Sequence, residues 1–449
     1  GAGCHDRAAN LTGGQGVAFG GVARALLVTD KNVADGRRRQ QRVVGRQNCA
    51  AGHTEHVGNA QGLEAGHDSL GSGHAGGVGG VAHHSSSQLL GPSQRKSPVN
   101  SERHLGCGEQ AVNMIHNAIS YLDEIEVVAV CDKNKERADF AARRLGLSRS
   151  YQDAGRMLDE VDADAAFIIT IAGIQAALAR QCIEAGLHVY TEKPLGTELP
   201  DLLMLKEAAA KHHRKIVVSF NTRYNLAYRD MKLAIESEGF GAPSAFIAKF
   251  IGGYRSNETD LLRVGCCHFF DLARYLIGEL DEVYAYKYEK QPGQHMFAVN
   301  GRFVNGCVAS MTFGALGSWV CGYGMESVEV RGDRNMVSAE NGRDFTWQKP
   351  SRIREPEAGL ENKGTQAVIE AAVPVEIMRP NYSNLGKLAM KDFYINGNYQ
   401  CVKAFAGAIL NGTEPPVGYA DGLMALKLAL AVERSAAEHR PVKIGEIEG

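Results

Sequence analysis

The stretch "EAGLHVYTEKPLG", residues 184–196, decides how the rest of the chain is read. A glycine closes one apolar segment, a short apolar run follows, and a charged pair then meets a proline. That order predicts a helix end, a tight turn and a short buried strand ending at Thr191. The carboxyl end of the strand delivers Glu192, Lys193 and Pro194. In open α/β sheets ligands bind outside the carboxyl ends of the strands. A surface turn with a solvated ion pair is the plain alternative; a lysine held in one place for chemistry is the sharper one.

Upstream, Ala165 to Ile171 in "DADAAFIITIAG" is apolar throughout, the pattern of a parallel strand buried on both faces. Further upstream, "LGCGEQAVNMIHNAISYLDEIEVVAVCDKNKERADFAARRLG" runs as glycine turn, helix, strand, acid and helix. Gly106, Gly108 and Ala111 keep the G-x-G-x-x-A spacing: a tight turn, close approach to a pyrophosphate, and close helix–sheet packing. The helix that follows offers free N–H groups and a positive dipole end to phosphates. Asp132 ends the next strand at about the distance where a ribose-binding carboxylate belongs. A carboxylate there accepts ribose hydroxyls and repels a 2′-phosphate, which favours NAD; Lys133 and Lys135 leave NADP possible. One part fits poorly: the strand before the turn, "PVNSERHLG", is polar where an apolar run is expected.

The chain has 449 residues, enough for two cores, with 44% apolar and 22% charged residues. A net charge of −2 leaves no electrostatic footprint for nucleic acid. No apolar run reaches membrane-spanning length. The 10 cysteines form no regular framework, so reduced thiols in the cytoplasm are expected.

Residues 1–100 differ from the rest. They hold no Ile, Met, Tyr or Trp, and one Phe, Phe19. They have too few large apolar residues to offset the entropy of ordering, so a disordered leader is expected. No apolar core follows a basic start, so no signal peptide is read. Three readings stand: a natural extension, a metal tract through histidines such as His53, His56, His83 and His84, or sequence never selected to fold. Irregular histidine spacing favours the last.

The pieces "GCGEQA", "VVAVCD", "EAGLHVYTEKPLG", "VSFNTRY", "HFFDLARYLIGE" and the tail "GYADGLMALKLALAVERSAAEHRPVKI" together resemble the Gfo/Idh/MocA family of nicotinamide-dependent oxidoreductases. The resemblance covers residue 105 to the C-terminus. It implies an α/β chain: a Rossmann doubly wound parallel sheet, then an α/β domain with a large, mostly antiparallel open sheet. The expected division is a leader at 1–100, a dinucleotide-binding domain at 101–222, and a substrate and oligomerisation domain at 223–449. The resemblance implies a sugar, polyol or related hydroxy substrate, and a homodimer or homotetramer through the open sheet. Lys193 is implied to touch both nicotinamide and the reacting hydroxyl, with a cis bond to Pro194. The expected cofactor set is Gly106, Gly108, Glu109, Gln110, Asp132, Thr170, Glu192 and Lys193. Two alternatives remain: a glycoside hydrolase using bound NAD, and a non-catalytic cofactor- or sugar-binding protein.

"DLLRVGCCHFFDLARYLIGE" carries a second constellation, His268, Asp271 and Tyr275 on one helix face. The family pattern is D-x-G-x-H-x-x-D; here Val264 stands where the first aspartate belongs, and Gly265 comes one place early. His268 is expected as a general acid–base with a pKa near operating pH. Arg223 reads either as a substrate or cofactor contact or as a structural ion pair. Adjacent Cys266 and Cys267 suit a tetrahedral metal poorly, so no metal is expected. Short alternating segments from Glu282 to Val330 predict antiparallel strands. "NGRDFTWQKPSRIREPEAGLENKGTQ" reads as a loop or edge excursion, Asp421 as a helix-cap residue, and two helices close the chain.

Overall fold

The structure is a computed structural model and describes residues 23–27, 102–253, 255, 257–317, 326–350, 375–379 and 392–448. The first sheet has seven parallel strands: β1 (Ala23–Leu27), β2 (Glu102–Leu105), β3 (Ile125–Cys131), β4 (Ser150–Tyr151), β5 (Ala165–Ile168), β6 (His188–Thr191) and β7 (Ile216–Val218). Their spatial order is β4-β3-β1-β2-β5-β6-β7. The polar "ERHL" does form a strand, with Leu105 opposite Ile168. Ladder pairing uses backbone groups, so a polar segment can occupy the register. Ala23–Leu27 is an element that composition did not single out; the rest of the leader, its histidines included, lies outside the described residues.

Helix α1 opens as a π-helical turn, Ala111–Ile115, and continues as His116–Ile119. Helices α2 (Lys135–Leu145), α3 (Ala154–Glu160), α4 (Ala172–Glu184) and α5 (Leu199–His212) complete the first layer. Asn134 caps α2 by accepting the Arg137 N–H at 3.2 Å, and Gly146 ends it in the left-handed region at φ 70°.

The second sheet has nine strands: β8 (Ala245–Gly253), β9 (Leu280–Gln291), β10 (Gln294–Phe303), β11 (Val308–Gly317), β12 (Glu326–Arg331), β13 (Met336–Glu340), β14 (Asp344–Pro350), β15 (Val375–Met378) and β16 (Val442–Lys443). All neighbours pair antiparallel except β8 with β11. Strand β14 corrects the expected loop. Phe345 is buried and Trp347 packs against the same core, a two-residue period that the polar residues between them obscure. Residues 351–374 of that stretch lie outside the described residues.

Helices α6 (Leu226–Ile235), α7 (Cys267–Leu276) and α10 (Tyr419–Glu438) cover the inner face of this sheet, where Leu428 and Val432 share a core with Val283 and Phe297. The other face exposes Ile247, Tyr286, Tyr288 and Val308. The chain then returns to the first sheet. Helices α8 (Asp392–Ile395) and α9 (Asn398–Leu410) bring Phe393, Val402 and Phe405 into one core with Ala111, Phe167 and Tyr190. Leu426 of α10 joins the core of Ile168 and Leu195. A cut at residue 222 therefore separates the sheets but not the cores.

Candidate active site

Strand β6 places Lys193 as its position in the sequence predicts. The Lys193–Pro194 bond is cis. The turn is held from behind by Gln175 of α4, whose side-chain nitrogen donates to the Pro194 carbonyl at 2.7 Å. Its side-chain oxygen accepts the Thr191 hydroxyl at 3.1 Å. Gln175 is fully buried, so each bond replaces water. Glu192 is buried; Oε2 accepts the Lys193 N–H at 3.3 Å, and burial pushes its pKa up.

Lys193 lines a cavity of about 230 Å³ with Thr222 and His268. Tyr228, Arg255 and Glu326 add further polar groups, and Phe250, Phe269 and Leu272 form an apolar wall. Ligand pockets for drug-sized molecules run to roughly 300–1,000 Å³, so this one suits a single sugar-sized ring. Burial and the Lys193 charge hold the His268 pKa well below its ordinary value. That corrects the expectation of a histidine poised near operating pH: the imidazole is neutral. Its buried Nδ1 makes no hydrogen bond among the described residues, and its ring meets Phe220 edge-on at 6.1 Å.

Asp271 and Arg223 face a different way. Arg223 donates to both Asp271 oxygens, at 2.8 and 2.6 Å, and to Asp421 Oδ1 at 2.7 Å. Arg274 donates to the same Asp421 oxygen at 3.0 Å. Asp421 Oδ2 accepts the Gly418 N–H at 2.9 Å, so it also caps α10 as its sequence position suggests. Asp271 is fully buried, and burial pushes its pKa up to about 6 despite Arg223. Arg223 thus forms ion pairs with two acids and is not among the residues that line this cavity. The bidentate fork to Asp271 and the bond to Asp421 use its Nε and Nη2 donors and hold the guanidinium between α7 and α10.

At the glycine turn, Gly106 has φ 123° and donates to the Cys131 carbonyl at 3.1 Å. The first intrahelical bond runs from Val112 N–H to the Gly108 carbonyl at 3.0 Å. The N–H groups of residues 109–111 therefore precede the ladder, and Ala111 is fully buried, as close packing requires. Asp132 is buried; Oδ1 accepts Asn134 N–H at 2.8 Å and Oδ2 accepts Cys107 N–H at 3.3 Å. It ties the turn to the end of β3. Thr170 lies two residues beyond β5, its hydroxyl donating to the Ile171 carbonyl at 3.3 Å. These features fit a dinucleotide: a left-handed glycine, a helix opening on the turn, and an acid at the next strand's end.

Residues 105–220 match the oxidoreductase family with an NAD-binding Rossmann fold, and residues 254–444 match the C-terminal alpha/beta domain of the same family. The chain belongs to the Gfo/Idh/MocA family. It is 26% identical over 349 residues to the myo-inositol 2-dehydrogenase of Thermotoga maritima, covering 74% of this chain and 95% of that protein. It is 24% identical over 354 residues to the D-apiose dehydrogenase of Paraburkholderia graminis, covering 77% and 89%. Its fold is similar to the Lactobacillus casei scyllo-inositol dehydrogenase solved with NAD(H) and scyllo-inositol (TM-score 0.57, 19% identity, 76% of this chain and 97% of that one). Gly106 and Asp132 lie within the matched NAD-binding domain.

Family membership does not predict every residue that builds the site. Gln175, Tyr228 and Glu326 were not singled out from sequence. Gln175 carried a signal: it shares the buried stripe of α4 with Ala179 and Cys182, where a polar residue needs a partner. Tyr228 and Glu326 meet across 98 positions, which no local pattern encodes. Cys266 and Cys267 are buried thiols, and no group of three potential metal ligands occurs among the described residues. No helix among them is long and apolar enough to cross a membrane.

Proposed function

We propose that this chain is an NAD-dependent dehydrogenase or reductase acting on a secondary hydroxyl of a sugar or cyclic polyol. The observation that carries this is the shared cavity of Lys193 and His268, at the carboxyl end of β6, in a chain with the family's NAD-binding domain. Bound nicotinamide would take up hydride from the alcohol carbon, leaving this chain's residues to hold the reacting oxygen and receive its proton. Lys193 Nζ hydrogen-bonds that oxygen, and the neutral imidazole of His268 presents a lone pair to the leaving proton. Gln175 holds the Glu192–Pro194 turn, so Lys193 is aimed before substrate arrives. Gly106, Gly108, Glu109 and Gln110 would hold the pyrophosphate, Asp132 the ribose, and Thr170, Glu192 and Lys193 the nicotinamide end. The acid at Asp132 favours NAD over NADP.

The proposal extends to context. The free buried cysteines support a cytoplasmic setting. The exposed Tyr286, Tyr288, Ile247 and Val308 support a homodimer or homotetramer through the open sheet, with 101–222, joined by the strand Ala23–Leu27, and 223–449 as the sheet-bearing halves. The experiment is a turnover assay with NAD and a panel of myo-inositol, scyllo-inositol and D-glucose, for the natural chain and Lys193→Met. Loss of the group that hydrogen-bonds the reacting oxygen is expected to lower kcat by about 10²–10³-fold with NADH affinity kept. Unchanged turnover in Lys193→Met defeats the assignment.

A further inference from the structure

Glu326 is the one carboxyl that lines the cavity among the described residues. It opens β12, on a strand far in sequence from the motif helix, and it is half-buried. Its Oε1 accepts the hydroxyl of Tyr228, which is 1% exposed and comes from α6. No hydrogen bond to Oε2 and no ion pair to Glu326 forms among the described residues. Its remaining cavity neighbours include the apolar Phe250, Phe269 and Leu272.

A carboxyl with about four acceptor positions and a single phenol partner is poorly satisfied. The carboxyl lines the cavity beside an apolar wall, so its acceptor positions beyond the one Tyr228 uses border the space a ligand would fill. The arrangement makes sense if the missing partners arrive with a ligand. What faces the carboxyl is then a donor, and in a sugar-sized cavity with aromatic walls the donor is a hydroxyl. Position 264 points the same way. Val264 precedes His268 in the π-helical turn Asp260–Gly265, so the motif segment supplies no carboxylate to the cavity from that place.

We infer that Glu326, braced by Tyr228, is the specificity-determining residue of the cavity: it accepts a hydrogen bond from a hydroxyl of a cyclic polyol or sugar other than the one oxidised. The inference rests on the proposed dehydrogenase function and deepens it. Glu326 stays unchanged through the reaction; it selects which ring, and which epimer, sits with a hydroxyl toward Lys193.

The test is calorimetric titration of myo-inositol, scyllo-inositol and D-glucose into the full chain saturated with NADH, with NADH affinity measured separately. Glu326→Gln is the informative variant. It keeps the shape and the acceptor for Tyr228, and replaces Oε2 by an NH₂ donor. A residue that merely braces Tyr228 predicts no change in polyol affinity. The inference predicts weakening by about tenfold or more at unchanged NADH affinity, because a hydrogen bond to a charged or buried acceptor is lost. Glu326→Asp, which keeps an acceptor, is expected to recover part of that loss, and Tyr228→Phe to weaken binding less than Glu326→Gln. Polyol binding by Glu326→Gln within about twofold of the natural chain overturns the inference and leaves the dehydrogenase function standing. A natural chain that binds NADH but none of the three compounds overturns both.

Discussion

Replacing Arg223 by Met separates its structural role from a substrate role, and its size can be worked from the ion pairs. The substitution removes three charge-assisted hydrogen bonds of 2.8, 2.6 and 2.7 Å. Asp271, fully buried, is left with Arg274 at 4.0 Å as its nearest cation. An uncompensated buried charge costs about 3–5 kcal/mol, unless the group escapes by taking a proton. Asp271 is close to that escape, with its pKa already pushed up to about 6. Protonating it at pH 7.5 costs about 2 kcal/mol, 1.4 kcal/mol for each unit above 6, and almost nothing at pH 6. Loss of the Asp421 bond adds about 1 kcal/mol at either pH. The expected destabilisation is therefore about 3 kcal/mol at pH 7.5 and about 1 kcal/mol at pH 6. The direction follows from linkage: an acid whose folded pKa is raised binds its proton more readily in the folded chain, so stability rises as pH falls through the folded pKa. Urea unfolding followed by far-ultraviolet circular dichroism at the two pH values measures both numbers. A variant as stable as the natural chain at pH 7.5, with only KM raised, would refute the structural assignment and return Arg223 to the substrate.

Gln175→Leu leaves the Pro194 carbonyl without its bond and the Thr191 hydroxyl with only the Glu192 carbonyl; unfolding measurements should show a loss of about 1–3 kcal/mol. Its kcat should fall more than its NADH affinity, because the turn that aims Lys193 is what loosens. His116 is buried, and burial holds its pKa down at about 3, so the unfolded chain takes up a proton that the folded chain refuses. Stability should be lost as pH falls below the unfolded value near 6.5, by about 2 kcal/mol from this residue at pH 5, and His116→Leu should remove that part of the slope. Tyr286→Glu puts a charge on the exposed sheet face; light scattering should show a smaller assembly if that face joins subunits, and an unchanged mass would move the interface elsewhere.

The motif segments were legible because their information is local. The glycine spacing from Gly106 to Ala111, the apolar run at Ala165 and the placement of Lys193 after a short strand each lie within a few residues. Chain geometry turns such a pattern directly into a turn or strand end. The same holds for the helix carrying His268, and for the Asp421 cap. Strand β14 was missed because Phe345 and Trp347 are its only strong inward signals, and their value depends on the core they meet. Strand β2 was doubted because composition speaks about side chains, whereas its place in the sheet is set by backbone pairing with β5.

The charge state of His268 was beyond the sequence, since it depends on the packing around the ring and on Lys193 nearby. So was the fate of Arg223, whose partners lie 48 and 198 positions away. The cavity itself is the clearest case. Lys193 comes from the first sheet, Tyr228 and His268 from two helices, and Glu326 from the second sheet. By itself the sequence determined the fold family, the nicotinamide chemistry and the lysine. Only the tertiary structure decided which acid faces that lysine's cavity, because burial and contact across such separations exist only once the two sheets and the returning C-terminal helices have packed.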